Sequence, residues 1–399
     1  MPTPTKHRQR GFSLLLFAVL ALGLGVGLFL SAWNGNRARL ERETNAAQTL
    51  QEAKEALIAH AAAPADINLL GYLPLPDIGI LISTPKEGYE AGNFSGNNKD
   101  YSALGKLPWH SLGIPPLTDQ HGECLWYVVS GRFKNTPKTD VLNWDTPGQI
   151  DLIDSNGALI ASNIAAVVVA PGPPLSGQSR NLADAAYTRC RGNYQASNYL
   201  DPVNAANAVA GEVNYFAGSI NGRVAPNDGN KKFVAASGSA FFNDRFLFIT
   251  VDDIFRPIVR RSDFMNSLLN DFQAQIEQPG FVIAGPKGTD NLTCKEKATD
   301  PSLCRNWKEM FFVTQLRDDE AQPPGCARVI IFAGQKTAGQ NRVTPDDKQN
   351  KANYLEGANL AAFNTPIAAS NHFDFSPLPP AFSPDEPWKD IVYCIPAAP

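Results

Sequence analysis

Side chains that commonly bind metals or transfer protons are few in this sequence and far apart. The five histidines have no metal-ligand spacing and form no HExxH motif: His7, His60, His110, His121 and His372. His110 and His121 share a loop-like stretch with Asp119 and Glu123, a set of residue types that could hold a metal ion. Loop histidines are more often exposed or hydrogen-bonded than metal-bound, so we interpret these two as structural.

Motifs that position a nucleophile or a phosphate group are also missing. The sequence contains no GxSxG element, no P-loop and no GxGxxG after a predicted strand. Gly23, Gly25 and Gly27 lie inside an apolar run, where helix packing explains small residues better than a nucleotide site does. We therefore predict no catalytic residue and no bound cofactor, and we expect a protein that is not an enzyme.

Acidic turns are the remaining cation candidates. Asp151, Asp154 and Asn156 lie in the segment DLIDSNG, and two further polar turns are predicted at 226–229 and 345–348. Three oxygen-bearing side chains fall short of the roughly six to eight oxygen ligands that calcium takes. We predict no metal ligands, and a calcium ion in the globular domain stays an open, weaker alternative.

The composition indicates a loop-rich, exported protein. Charged residues make up 19% of the 399, below the roughly 25% typical of soluble domains, and there are 31 glycines and 31 prolines. The mild net charge of −4 argues against nucleic acid as a partner, because proteins that bind it usually carry a basic patch or stripe.

The six cysteines all follow the apolar run near the N-terminus, and none forms a CxxC pair: Cys124, Cys190, Cys294, Cys304, Cys326 and Cys394. An even number beyond a membrane segment is typical of an oxidising compartment, so we expect disulfides. Proximity singles out Cys294 and Cys304, which close the polar loop CKEKATDPSLC. The pairing of the other four stays open.

The apolar run Phe12–Trp33 contains 22 residues and no charge. As a helix it would be about 33 Å long, enough to cross a hydrocarbon core of roughly 30 Å. It is longer than the apolar part of a removable signal peptide, and the best local cut site has the large Leu30 at −3. The run therefore predicts a transmembrane helix that is retained.

The residues after this run continue as a helix and become amphipathic. No proline occurs until Pro64, and apolar residues recur on one face at helical spacing: Leu40, Ala47, Leu50, Ala53, Leu57 and Ile58. We predict one continuous helix over 12–62. The expected segments are a leader at 1–11, a transmembrane segment at 12–33, an amphipathic segment at 34–63 and an exported globular domain at 64–399.

The leader RQRG, the FSLLL that follows it and the long helix together resemble the N-terminus of type IV prepilins and type II secretion pseudopilins. In that family a prepilin peptidase cuts after the glycine on the cytoplasmic face and methylates the new N-terminus. The resemblance makes Gly11 the last leader residue and Phe12 the first mature residue. It also places the leader in the cytoplasm, which the charge rule cannot do because three lysines or arginines lie on each side of the run.

One position departs from the family pattern. Shaft subunits usually carry glutamate as the fifth mature residue, and this chain has Leu16 there. That glutamate is thought to pair with the N-terminal amine of a neighbouring subunit in the apolar filament core, where an unpaired charge costs on the order of several kcal/mol. A subunit that lacks this glutamate is suited to a position in the filament where that neighbouring subunit is absent. The resemblance thus implies a minor subunit at the tip or in initiation.

Beyond residue 64 the pattern changes to short β-like runs and turns. After a Leu-Pro-Leu-Pro-Asp segment at 73–77, we predict a strand in CLWYVVSGRF and a hairpin over 149–172 that turns at 155–157. The segment PLTDQHGECLWYVV resembles the pseudopilin element in which a DxxG turn leads into an aromatic strand. A further helix is expected over 180–201.

The C-terminal half is predicted to contain a strand and then a helix that opens near Asp252–Asp253, with Pro257 in its first turn. The buried face of this helix is expected to contain Phe255, Ile258, Val259, Phe264, Leu268 and Phe272. Strands are predicted in ARVIIFAG and DIVYCIPA. The expected fold class is α+β, pilin-like: a long N-terminal helix packed on an antiparallel β-sheet, with a large elaborated C-terminal region.

Two functional hypotheses remain. The first is a minor pilin or pseudopilin of a type IV pilus or type II secretion system. It would be a single-pass protein of the bacterial inner membrane with its C-terminal domain in the periplasm. Its partners would be the prepilin peptidase, other pilins or pseudopilins and the inner membrane. The second is a signal-anchored periplasmic binding protein or enzyme unrelated to filaments, which a pocket with converging polar residues would favour.

Overall fold

The computed structural model describes residues 43–81, 84–92, 101–138, 141–154, 156–180, 189–190, 192–201, 231–235, 242–294, 302–317, 325–365, 371–377, 382–383 and 385–396. The chain divides into two compact units, Met1–Thr49 and Leu50–Pro399. Only residues 43–49 of the first unit are described, and they are helical. Among the described residues, no helix is long and apolar enough to cross a membrane. The predicted transmembrane segment lies outside them.

The elements of the structure are short, apart from two helices. The helices are α1 at 43–62, α2 at Val251–Val259, α3 at Ser262–Ile276, α4 at Leu303–Trp307, α5 at Pro345–Gln349 and α6 at Gly357–Asn364. The strands are β1 at Ile80–Leu81, β2 at Thr84–Pro85, β3 at Ala103–Lys106, β4 at Trp126–Val129, β5 at Ile150–Asp154, β6 at Leu159–Ile164, β7 at Ala166–Ala170, β8 at Lys231–Ala235, β9 at Arg245–Ile249, β10 at Phe311–Gln315, β11 at Cys326–Phe332 and β12 at Ile391–Pro396.

Helix α1 buries the apolar stripe predicted from its spacing. Leu50, Ala53 and Leu57 are buried, and the helix ends at residue 62, just before Pro64. A proline disfavours helical geometry in the residue before it, which explains this end. Ala47 was predicted to share the buried face but is exposed, because it lies at the flank of the stripe. The predicted helical residues before 43 lie outside the described part.

The central sheet has the strand order β3-β4-β7-β9, with every neighbouring pair antiparallel. Both of its faces are buried, so successive residues of β4 enter different cores. Tyr127 and Val129 belong to the main core, which also contains Leu50 and Leu57 of α1. Trp126 belongs to the second core on the opposite face. The α+β class with antiparallel sheets is confirmed by this arrangement.

The second core is covered by a smaller sheet in the order β6-β5-β8. Strands β5 and β6 form the predicted hairpin, and the Asp154 carboxylate accepts hydrogen bonds from the Asn156 and Ala158 N–H groups at 2.8 Å each. The end of 149–172, predicted as part of that hairpin, leaves it after Ile164 and forms β7 of the central sheet. Strand β8 pairs with β5 in parallel, which the sequence did not indicate.

The C-terminal half adds a three-stranded sheet with the order β10-β11-β12 and antiparallel pairing throughout. Strands β11 and β12 confirm the predictions for ARVIIFAG and DIVYCIPA. All six residues of the predicted helix face are buried in the main core: Phe255, Ile258, Val259, Phe264, Leu268 and Phe272. The aromatic rings of Phe264 and Trp307 meet edge to face with centroids 5.0 Å apart.

Several local predictions are wrong. The single helix expected after Asp252 breaks at residues 260–261 into α2 and α3. Pro257 lies inside α2 rather than in its first turn, where its missing N–H removes the hydrogen bond to the carbonyl of residue 253, and the helix ends two residues later. Segment 345–348 is the capped start of α5 instead of a turn. In 180–201, the described residues contain only the short 3₁₀ turn Ala196–Asn198, and 181–188 are not described.

Candidate functional site

Within the second unit, two basic side chains hold the residues of α1 from Leu50 onward against neighbouring elements. Lys54 Nζ donates to the Phe248 carbonyl at 3.0 Å and to Asp253 Oδ2 at 2.8 Å, which ties α1 to β9 and to the start of α2. Burial alone would raise the pKa of Asp253, but the hydrogen bonds from Lys54 and Thr250 outweigh it and hold that pKa below its ordinary value. Arg261 also donates to the Ala62 carbonyl at the end of the helix.

The segment after α1 is organised around the buried carboxylate of Asp77. Its Oδ1 accepts from the Gly79 N–H at 2.7 Å, and its Oδ2 accepts from the Gly88 N–H at 2.7 Å and the Tyr194 hydroxyl at 2.8 Å. Burial raises the pKa of Asp77 to about 6, against the lowering effect of these donors. This one side chain therefore holds together both ends of the loop that contains β1 and β2 and a distant tyrosine.

Lys106 on β3 lies beside Asp77 and is also fully buried. The backbones of the two residues form a β-bridge, and Lys106 Nζ donates to the Cys190 carbonyl at 3.2 Å and lies over the Tyr194 ring. Burial lowers the pKa of Lys106 to about 8, opposed by the charge of Asp77. Each charge is costly to bury alone, so the pair depends on both members.

The prediction that the cysteines form disulfides is confirmed. The structure joins Cys294 to Cys304, the pair singled out by proximity. The other two disulfides are Cys124–Cys190 and Cys326–Cys394, with no free cysteine in the described residues. Along the chain the bonds link the first cysteine to the second, the third to the fourth and the fifth to the sixth. The three closed loops therefore do not overlap.

The histidines and acidic turns named from the sequence have structural contacts. Asp119 Oδ1 accepts from the backbone N–H of His121 at 2.7 Å and of Glu123 at 3.0 Å, which closes the DxxG turn before β4. His110 Nε2 is hydrogen-bonded to the Tyr89 hydroxyl at 2.7 Å. In the described part of the chain, no group of three or more His, Cys, Asp or Glu side chains is placed to hold a metal ion.

A cavity of about 400 Å³ lies between the 287–290 segment, α4 with the turn that follows it, α5 and Val141. This volume is within the range of small-molecule sites. Its lining includes four basic side chains and two acidic ones: Lys287, Arg305, Lys308, Lys348, Asp290 and Glu309. No sequence pattern points to this cavity, because its lining comes from four separate stretches that share no motif.

The acidic groups of the cavity do not balance its basic groups. Both carboxylate oxygens of Glu309 already have a donor, since Oε1 accepts from Asn143 Nδ2 at 2.6 Å and Oε2 accepts from Lys348 Nζ at 2.8 Å. Lys287 and Lys308 instead donate to backbone carbonyls, of Glu309 and Leu292 respectively, each at 2.6 Å. Burial lowers the pKa of Lys287 to about 7, with Glu309 opposing that change.

The processing residues predicted from the sequence, Gly11 and Phe12, lie outside the described residues, as does Leu16. Comparisons with protein-family models, with curated proteins and with solved structures found no match to this chain. The case for a function therefore depends on the sequence pattern and on the geometry above.

Proposed function

We propose that this chain is a minor pilin or pseudopilin that acts in assembly of a type IV pilus or a type II secretion pseudopilus. The observation that carries the proposal is the leader RQRG followed by the uncharged run Phe12–Trp33. The fold supports it: the apolar stripe of α1 is buried in one core with a four-stranded antiparallel sheet, the arrangement that the resemblance implies. The second unit would be the exported domain of such a subunit.

In this proposal a prepilin peptidase removes residues 1–11 at the cytoplasmic face and methylates Phe12. The apolar run then holds the subunit in the inner membrane until the helix enters a filament. The domain beyond it faces the periplasm, an oxidising compartment where disulfides persist. The three disulfides of the second unit are consistent with that location.

Two features favour a terminal subunit over a shaft subunit. Leu16 provides no carboxylate to neutralise the N-terminal amine of a neighbour, and an uncompensated buried charge would weaken a repeating contact. The second unit is also large for a repeating subunit, because the central sheet is covered on its outer face by a further sheet and the C-terminal half adds another three-stranded sheet. We propose a role at the tip or in initiation.

The direct test is mass spectrometry of the N-terminus of the protein purified from its own membrane. The proposal requires a mature chain that starts at an N-methylated Phe12. An intact leader, or cleavage after Ala32, would contradict the proposed cleavage after Gly11 and would favour the signal-anchored alternative.

A Gly11→Glu variant separates the two hypotheses in vivo. Since the cut follows Gly11, the variant should stay uncut yet remain in the membrane through its unchanged apolar run. A signal-anchored protein unrelated to filaments would behave like the wild type in this experiment. Gly27→Ala, within the apolar run, serves as a control that should be processed normally. Normal processing of Gly11→Glu would count against the assigned site.

A further inference from the structure

The lining of the cavity beside α4 contains more basic than acidic side chains, four against two. Lys287 and Lys308 each have a backbone carbonyl as their acceptor, and neither pairs with a described carboxylate. An ammonium group has three N–H donors, so each lysine keeps donors available beyond its carbonyl contact. The whole chain has a net charge of −4, which makes this concentration of lysines a local feature.

The lysines line a partly enclosed cavity and are not spread over a solvent-exposed surface. Lys287 is only 5% exposed, and its Nζ lies 3.6 Å from the centroid of the Tyr354 ring, which fixes the ammonium at the cavity wall. Lys308 and Lys348 are half-buried on the other walls. Charges in such a partly enclosed space interact more strongly than charges in water.

We propose that this cavity binds a small organic anion carrying a carboxylate or phosphate group, held by Lys287, Lys308 and Lys348. The volume of about 400 Å³ leaves room for a compact molecule and not for a folded partner. Lys348 is engaged by Glu309 and can also donate to the ligand, since only one of its three N–H groups is used there. The proposal is independent of the filament hypothesis.

The charged groups around Lys287 predict a second measurable effect of anion binding, which is proton uptake. The groups that face it are Glu309, Asp145, Arg342 and Lys348. An anion beside Lys287 favours its charged form, so binding should be accompanied by uptake of protons near pH 7. Neutral ligands lack this effect.

The test is calorimetric titration of the purified full-length chain with inorganic phosphate, citrate and glucose 6-phosphate, with glucose as the neutral control, at constant ionic strength. We expect at least one anion to bind and glucose not to bind. Titrations in buffers of different ionisation enthalpy should show proton uptake. The phosphate and citrate arms separate recognition of phosphate from recognition of carboxylate.

Two variants locate the site. Lys308→Met and Lys348→Met should each weaken binding about 10-fold or more, the effect of losing one charge-assisted hydrogen bond. Lys389→Met removes the same charge from an exposed residue outside the cavity lining and should bind like the wild type. Absence of binding by all three anions, equal binding of glucose, or equal losses in the Lys389 variant would overturn the proposal.

Discussion

At the scale of single residues, Asp77 and Lys106 are charged side chains that are fully buried. No sequence pattern assigned a function to either of them. Asp77 occurs in a Leu-Pro-Leu-Pro-Asp segment whose prolines indicated only the exit from α1. Folding places it against Lys106 and gives it three hydrogen-bond donors. No spacing rule connects positions 77, 106 and 194, so neither propensity nor periodicity could find this cluster.

Replacing Asp77 by asparagine should destabilise the protein by about 3 kcal/mol. The amide oxygen cannot accept from all three donors, its NH₂ group would face one of them, and Lys106 would lose its opposite charge. Urea unfolding at neutral pH measures the change. The control is Asp66→Asn, an exposed cap at which asparagine serves equally well, with an expected change below about 0.5 kcal/mol. Similar values for the two variants would contradict this account.

The burial of Lys287 makes the free energy of unfolding depend on pH. Its pKa is about 7 in the folded protein and about 10.4 in an unfolded chain, so the unfolded state binds more protons between these values. The stability that this residue contributes is full above about pH 10, decreases as the pH falls from about 10 to about 7, and is absent below the folded-state pKa. The free energy of unfolding of the wild type, minus that of Lys287→Met, should therefore rise from about pH 6 to pH 9.

Urea titrations across that range check the Lys287 prediction. Other titrating groups, including Asp77 and Lys106, remain in both proteins, so the difference isolates Lys287. The exposed Lys389→Met variant should give a difference that stays level with pH. A level difference for Lys287→Met would show that its side chain is solvated in the folded protein.

At the scale of elements, the disulfides cross-link three separate stretches of the chain. Cys124–Cys190 links the DxxG turn region to the segment that carries Tyr194, and Cys326–Cys394 joins the neighbouring strands β11 and β12. Cys294–Cys304 closes a short loop that ends in α4. Only the short loop could be chosen from the sequence, because the chain-entropy cost of closing a loop favours near neighbours.

Removing each disulfide by a double Cys→Ala substitution should cost more for the long loops than for the short one. The separations are 66 residues for Cys124–Cys190, 68 for Cys326–Cys394 and 10 for Cys294–Cys304. The unfolded-chain entropy model gives about 4 kcal/mol for each long loop and about 3 kcal/mol for the short one. Urea unfolding without reductant ranks the three variants, and the largest loss in the Cys294–Cys304 variant would refute the ranking.

Individual helices and strands were the most predictable features. The strand at β4, the hairpin of β5 and β6, the strands β11 and β12 and the buried face of α2 and α3 all follow from apolar periodicity. The break between α2 and α3 and the parallel pairing of β8 with β5 do not. Both depend on how distant parts of the chain pack, which local patterns do not encode.

At the scale of the whole molecule, both described cores are built entirely from Leu50 and later residues. We therefore expect a chain of residues 43–399 to fold without the N-terminal segment. It should unfold cooperatively within about 5 °C of the full-length protein, since losing less than about 1 kcal/mol shifts a domain of this size only a few degrees. Circular dichroism on heating and a thiol assay for free cysteines measure this. A broad, non-cooperative transition would contradict it.

By itself, the sequence determined the uncharged run Phe12–Trp33, the RQRG motif that ends at Gly11, the leucine at position 16 and the α+β class. These are contiguous or periodic features, and a pattern of neighbours is enough to recognise them. Only the tertiary structure decided the pairing of the four remaining cysteines, the Asp77–Lys106 cluster and the lysine-lined cavity. The physical reason is that each of these joins residues far apart in the chain, whose approach depends on which faces of the sheets and helices are buried together.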